Sequence, residues 1–286
     1  MRRVEGLKAL VGEFDALLCD VWGVLHNGVS AFPAAVDAIA RFRQEGGPVI
    51  LVTNAPRPTP SVQEQLRALG VPDHSYDAIV TSGDVTRGLI AARPGVKLFH
   101  IGAPRQLAFY EGLDVVFASE GDAELVSCTG LVDDTTETPD DYRAQLQRLV
   151  ARGLPMICAN PDIVVEYGDK LVFCAGALAR LYQDLGGETV LVGKPHAPIY
   201  DAARAKVAER GGTKPLAVGD GLQTDIRGAV DNGVPALFVT GGIHAADFGS
   251  VEQPDGALVA KRLASEGLHA VAYMPTLRWE SAGGRR

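Results

Sequence analysis

Apolar residues along this chain fall into short runs that stop at polar ones. Residues 15–21 (DALLCDV) form such a run, ending at Asp20 and feeding the turn-like GVLHNG, the pattern of a buried strand that delivers its last residues to a loop. The helically spaced segment 34–46 and the strand-like PVILVTNAP at 48–56 complete a βαβ unit. A helix over 60–69, a strand at 77–83 and a helix at 84–92 continue the alternation, which predicts a parallel sheet covered by helices in three layers.

The middle third alternates in the same way. VKLFHIG (96–102), VVFA (115–118), LVSCTG (125–130) and PMICAN (155–160) read as strands. Helices are expected at 104–110, 142–153 and 175–186, the last closed by Gly186-Gly187. Beyond it come a helix over 200–210, the strand KPLAVGD (214–220), a helix from Thr224 or Asp225, and strands at 236–242 and 268–274. The first and last thirds look alike and the middle looks inserted, which predicts an α/β core of 1–83 and 187–286 with an inserted α/β domain of 84–186.

Composition sharpens this picture. A chain of 286 residues is long enough for one large or two medium domains. With 47% hydrophobic and 22% charged residues it has the make-up of a globular protein that builds a core. A net charge of −8 argues against a surface that neutralises many backbone phosphates, so no nucleic-acid partner is expected. Cys19, Cys128, Cys158 and Cys174 form no CxxC pair and no metal-ligand spacing with a nearby His, and read as buried thiols of a reducing compartment. The start of the chain lacks a signal-peptide pattern and no apolar stretch approaches a membrane span, so the expectation is a cytoplasmic protein with no membrane partner.

In α/β sheets ligands bind beyond the carboxyl ends of the strands, where this chain carries Asp20, Thr53-Asn54 and Asp220. One Asp after an apolar run is ordinarily a turn or N-cap residue; three polar strand ends together point to a site. Brought together, Asp20 and Asp220 would offer hard oxygen ligands to Mg²⁺. Asp225 would reach a metal-bound water, or would simply cap the next helix. Lys194, in VGKPHAPIY, is either a surface lysine or a cation fixed by its turn to meet a phosphate. Thr53 adds a hydroxyl, and backbone N–H groups around Asn54 and after Trp22 could receive phosphoryl oxygens.

These segments resemble the haloacid dehalogenase-like (HAD) superfamily, and within it the class IIA group of NagD-like phosphatases. DVWGVLHNG (20–28), VTNAPR (52–57), GKPHAPIY (193–200) and GDGLQTDIRGA (219–229) resemble its four motifs in order, and NPDIVVEYG (160–168) resembles its cap segment. The resemblance implies a Rossmann-like three-layer core with a parallel sheet plus an inserted class IIA α/β cap. It implies a Mg²⁺-dependent phosphatase of small organic phosphomonoesters, with Asp20 as the nucleophile that forms an aspartyl-phosphate. Asp20, the backbone carbonyl of Trp22 and Asp220 would bind Mg²⁺, Asp225 would support it through water, and Thr53 and Lys194 would hold the phosphoryl group. Asn54, Asn160 and Asp162, with Glu166 nearby, would contact the substrate, a small phosphorylated metabolite. The group's members also pair through the cap, which makes a homodimer an expectation here.

The chain departs from that pattern at Trp22, where such phosphatases carry a second Asp as general acid and base. Three readings follow. Phosphatase activity is kept with His26, a cap residue or water in place of the acid; or the protein binds phosphorylated metabolites as a regulator and turns over poorly; or, since dehalogenases carry an aromatic residue here, it is a dehalogenase-like hydrolase. His26 would shuttle a proton or, more plainly, fix its loop. His244 and Asp247, after the strand at 236–242, are further candidates for substrate contact.

Overall fold

The computed structural model describes residues 1–167 and 170–280, with the backbone alone at 166, 167, 170 and 171. The chain divides into two compact units. The first comprises Met1–Thr53, Pro60–Val80 and the chain from Lys194 onward; the second comprises Asn54–Thr59 and Thr81–Gly193. Sequence reading set the changeovers at 83/84 and 186/187 and did not associate 54–59 with the inserted part.

The chain opens with β1 (Arg2–Arg3), β2 (Ala16–Asp20), α1 (Pro33–Glu45), β3 (Val49–Thr53), α2 (Thr59–Leu69) and β4 (Ala78–Thr81). Every residue of β2 (ALLCD) and β3 (VILVT) is buried, as expected of strands covered on both faces. In α1, Pro33 sits at the start, where its missing N–H costs nothing, and Ala35, Ala38, Ile39 and Phe42 form the buried stripe.

The second unit follows with α3 (Ser82–Ala91), β5 (Val96–Ile101), β6 (Val115–Phe117), β7 (Leu125–Cys128), α4 (Arg143–Ala151), β8 (Met156–Cys158), β9 (Val164–Tyr167), β10 (Lys170–Phe173), α5 (Ala175–Asp184) and β11 (Thr189–Leu191). The chain then returns to the first unit through α6 (Ala197–Ala208), β12 (Pro215–Gly219), α7 (Arg227–Asp231), β13 (Ala236–Val239), α8 (Gly256–Ser265) and β14 (Ala272–Met274).

The first unit holds a seven-stranded sheet of order β1-β14-β13-β12-β2-β3-β4, in which β1/β14, β14/β13, β13/β12, β12/β2 and β2/β3 pair in parallel. The second holds a five-stranded parallel sheet of order β11-β8-β7-β5-β6 and the antiparallel hairpin β9/β10. Its core joins Leu146, Leu149, Leu178 and Tyr182 from the helices to Val126, Cys128, Met156 and Cys158 from the strands. Both parallel sheets agree with the alternation in the sequence.

Several local expectations are corrected. Residues 104–110 form a 3-10 helix, because Pro104 starts a turn that Gln106 closes through its side chain on Ala103. The helix expected over 142–153 is a 3-10 turn, Pro139–Tyr142, followed by α4. The helix expected from Thr224 or Asp225 starts earlier, as a π-helical turn over Leu222–Ile226 that precedes α7. The strand expected at 268–274 is confined to Ala272–Met274. Strands β1, β9, β10 and β11 and helix α8 were not anticipated. Among the described residues no helix is long and apolar enough to cross a membrane.

Candidate active site

The parallel register gathers the site. Asp20, the last residue of β2, lies opposite Val52 of β3, and Cys19 lies opposite Val218 of β12. Thr53, one residue beyond Val52, and Asp220, two beyond Val218, therefore emerge at the same edge of the sheet as Asp20. The π-helical turn brings Asp225 back toward the strand it follows, and one carboxylate oxygen each of Asp20, Asp220 and Asp225 lies within 4.8 Å of the others. All three residues are buried.

Lys194 is inserted among them. It is 5% exposed, and its Nζ donates to Asp20 Oδ1 and, at 2.7 Å, to Asp225 Oδ1. The second oxygen of Asp225 accepts the Gly221 N–H at 2.9 Å, and Asp220 Oδ2 accepts the Ile243 N–H at 2.8 Å. Glycines make room for these carboxylates: a Cβ on Gly23 would lie 2.3 Å from Asp220 Oδ2, one on Gly242 2.0 Å from it, and one on Gly219 2.2 Å from Asp225 Cβ. The loops after β2 and β13 thus press their backbones directly against Asp220.

Electrostatics explains what the cluster holds in reserve. Burial, and next the charge of Asp225, push the Asp20 carboxyl well above the ordinary range, and the Lys194 ammonium opposes them. Asp220 is pushed up to about 6, chiefly by burial and then by Asp225. Burial pulls Lys194 down, but the charges of Asp20 and Asp225 outweigh it and the ammonium is held above its usual value. Three carboxylates face one cation, so the cluster has an excess of hard, negative oxygen ligands and is suited to a divalent ion.

Comparison with known proteins agrees with this geometry. The haloacid dehalogenase-like hydrolase family matches residues 17–116, and a second HAD-hydrolase-like family matches residues 191–265. A haloacid dehalogenase-like hydrolase of Brucella suis 1330 has a solved structure with 50% identity and a TM-score of 0.80, over 96% of this chain and 99% of that one. The chain belongs to the haloacid dehalogenase-like hydrolases. The ribonucleotide monophosphatase NagD of Escherichia coli K12 is 26% identical over 235 residues, 81% of this chain and 89% of its own. A glycerol phosphate phosphatase of Mycobacterium tuberculosis, solved in complex with magnesium, is 25% identical over 84% of this chain and 71% of its own, with a TM-score of 0.65.

In this haloacid dehalogenase-like hydrolase the loop after β2 is closely tied. Leu25 N–H donates to Val21 O at 2.9 Å, Gly23 N–H to His26 O at 2.8 Å and Phe32 N–H to Leu25 O at 2.8 Å. His26 is buried, its Nδ1 accepts the Gly28 N–H at 2.9 Å, and burial lowers its pKa. Both features assign it to the loop-fixing role, and a ring that resists protonation is a poor proton donor at neutral pH. Trp22, by contrast, is 54% exposed.

The remaining candidates divide between the units. In the second unit Asn54 Nδ2 donates to Asp162 Oδ1 at 2.9 Å, and Asn160 Oδ1 accepts the Asp162 N–H at 3.0 Å. Gly193 lies against this pair, since a Cβ there would meet Asn54 Oδ1 at 2.5 Å. The Glu166 side chain and Gly168, which ends the segment 160–168, lie outside the described residues. In the first unit His244 Nε2 accepts the Leu222 N–H at 3.4 Å and Nδ1 lies 3.6 Å from Asp247, so this imidazole braces the π-helical turn that carries Asp225. Sequence reading missed Gly23, Gly219 and Gly242; Gly219, directly before Asp220, and Gly23, three residues after Asp20, carried a local signal, whereas Gly242 follows a strand with no acidic end.

Proposed function

We propose that the protein is a phosphatase that hydrolyses small organic phosphomonoesters with the help of Mg²⁺. The observation that carries this reading is the buried convergence of Asp20, Asp220 and Asp225 around Lys194. The NagD and glycerol phosphate phosphatase relatives, the latter with magnesium bound, support it.

The donor set fits a hard divalent ion, since three carboxylates converge and only one ammonium offsets them. Asp20, Asp220 and the Trp22 carbonyl would hold Mg²⁺, with Asp225 reached through water, and the ion would supply positive charge toward the phosphoryl oxygens. Asp20 attacks phosphorus, and the resulting aspartyl-phosphate is hydrolysed by water to free the carboxylate. Lys194, already bonded to Asp20, counters the burial that favours the neutral acid and offers a cation to the phosphoryl group. Thr53 offers its hydroxyl to the same group. Asn54, Asn160 and Asp162, on the inserted unit that serves as the cap, select the substrate.

The test is phosphate release from p-nitrophenyl phosphate, with and without Mg²⁺, by wild type and Asp20→Asn. Magnesium-dependent release that the substitution abolishes is expected. Equal rates for the two proteins would remove Asp20 from its role. Tight binding of phosphate compounds without release from any of them would favour a regulatory binding protein, the reading that Trp22 motivates.

A further inference from the structure

The loop that follows β13 touches the acidic cluster twice. Its root is fixed, since Thr240 and Gly241 prolong the pairing of β13 with β14 through N–H bonds to Met274 O at 2.9 Å and Pro275 O at 2.7 Å. Its far end is fixed as well. Residues Ala245–Phe248 form a 3-10 turn, and Phe248, 1% exposed, meets the Phe238 ring of β13 edge to face with centroids 5.7 Å apart. Between these anchors stand Gly242, Ile243 and His244. Ile243 reaches Asp220 directly: its N–H donates to Oδ2 at 2.8 Å, and Gly242, lacking a Cβ, lets the backbone lie against that carboxylate.

His244 reaches Asp225 at one remove. Its Nε2 accepts the Leu222 N–H at 3.4 Å, and Leu222 opens the π-helical turn Leu222–Ile226 that carries Asp225. The first N–H groups of a helical turn have no partner within it. Here Asp225 Oδ2 takes the Gly221 N–H at 2.9 Å, and His244 takes the next one. The start of the turn is therefore held from inside by the carboxylate it carries and from outside by an imidazole. In a neutral ring, accepting at Nε2 places the proton on Nδ1, and that atom faces Asp247 Oδ2 at 3.6 Å, so Asp247 favours the tautomer the turn requires. On its outer side the turn is tied to the end of α8, where Gln223 Nε2 donates to the Glu266 carboxylate and Arg227 Nη2, just beyond the turn, to Glu266 O at 2.6 Å. Those bonds start from side chains, whereas the His244 bond ends on the backbone and so fixes the path of the chain to Asp225.

We propose that His244 is a positioning residue for the metal site: through the Leu222 N–H it holds the π-helical turn so that the Asp225 carboxylate stands beside Asp20 and Asp220, and it thereby sets the affinity for Mg²⁺. The inference rests on the phosphatase reading, in which that cluster takes the ion, and it moves His244 from substrate contact to support of the cluster. One loop serves two carboxylates, Asp220 through Ile243 and the turn of Asp225 through His244, so their spacing is set by a single anchored segment. A turn that loses such a tether need not unfold. It gains room to move, and a carboxylate that must be brought back on binding weakens the hold on the ion.

The first measurement is Mg²⁺ binding to the metal-free full chain by titration calorimetry, without substrate. His244→Ala is expected to raise the Kd about tenfold, the lower end of the loss that follows when a group orienting a metal ligand is removed. His244→Gln, whose amide oxygen can accept the Leu222 N–H, is expected to stay within about threefold of wild type. Asp255→Ala is the control for stability alone. It removes the cap of α8, where Asp255 accepts the Ala257 and Leu258 N–H groups, and should lower the urea midpoint while leaving the Mg²⁺ Kd unchanged.

The second measurement is kinetic. With p-nitrophenyl phosphate, the Mg²⁺ concentration for half-maximal rate should rise about tenfold in His244→Ala, with most of kcat recovered at saturating Mg²⁺. An unaltered Mg²⁺ Kd in His244→Ala, or an equal weakening in Asp255→Ala, would overturn the proposal. So would a raised KM for the ester with the Mg²⁺ Kd unmoved, the result that a substrate contact gives. If the wild type binds no Mg²⁺, the metal half of the phosphatase reading fails and this inference falls with it. If all the proteins bind Mg²⁺ with one Kd and release phosphate, the positioning role alone is lost.

Discussion

The two units use one construction, a parallel sheet with chemistry at its strand ends, and finish it in opposite ways. The seven-stranded sheet ends in ionisable groups: Asp20 after β2, Asp220 after β12, and Lys194 between Asp20 and Asp225. In the five-stranded sheet the neighbouring strands β5 and β7 finish instead in a neutral network. His100 Nε2 meets Thr129 Oγ1 at 2.8 Å, Thr129 donates to Gln106 Oε1 at 3.0 Å, and Tyr110 donates to Ser127 at 2.8 Å. The Cys128 and Cys158 thiols there are pushed up by burial, Cys128 to about 12, so they remain protonated. A scaffold that tolerates either finish does not itself specify chemistry; the few residues beyond the strands do.

The comparison is broken most forcefully at Asp20. Asp20→Asn keeps the shape and removes the proposed nucleophile, and a loss on the order of 10⁴-fold in kcat is expected in the p-nitrophenyl phosphate assay. Thr129→Asn, at the neutral strand ends of the other sheet, should not approach that loss. Next is Lys194→Met, which leaves Asp20 and Asp225 buried without their shared cation. About 3–5 kcal/mol of stability should disappear in metal-free urea unfolding, and added Mg²⁺ should restore part of it.

A third effect separates the clusters by ligand. Mg²⁺ at a hundred times its Kd should stabilise the wild type by about 2.7 kcal/mol, a rise of roughly 5 °C or more in Tm. Asp220→Asn should lose this response; an undiminished rise would place the ion elsewhere.

The smallest effect belongs to the neutral network. His100 is pushed down to about 4 by burial, whereas an unfolded histidine titrates near 6.5. Its folded pKa is depressed, so as pH falls from about 6.5 toward 4 the unfolded chain binds a proton that the native chain refuses, and stability declines over that window. Above pH 6.5 the contribution is fully present. The gap in urea midpoint between wild type and His100→Gln should change across this window and be flat above it. Thr129→Val, which strands the imidazole, should cost about 1 kcal/mol at neutral pH.

Much of the site could be read along the chain because its carriers are local punctuation. Asp20, Thr53 and Asp220 each end an apolar run, and Lys194 stands between a glycine and a proline. The parallel alternation was equally plain in β2, β3, β5 and β12. What escaped was set by partners far away or by signals too short to see. The Asn54 bond to Asp162 spans 108 positions. The turn at 222–226 takes a π-helical form while its Asp225 reaches both Lys194 and the Gly221 N–H, a demand invisible in LQTDI itself. Strands β1 and β11 have two and three residues, too few to show a period. Helix α8 was an avoidable omission: Asp255 caps it by accepting the Ala257 and Leu258 N–H groups, and Asp before Gly-Ala-Leu-Val was there to be noticed.

The pairing of β2 with β12 also has a consequence in time. Leu17 lies beside Leu216, with the entire inserted unit between them along the chain. During synthesis at about 5–20 residues per second, β2 waits on the order of ten seconds or more for the strand that will flank it, while the strands of the second unit emerge close to their own partners. Asp20 is made early, but Asp220 and Asp225 join it only when more than two thirds of the chain exists. A nascent or truncated polypeptide therefore carries Asp20, the proposed attacking residue, without its companions, and the acidic cluster is completed as a late event of biosynthesis, after the insert has had its chance to form.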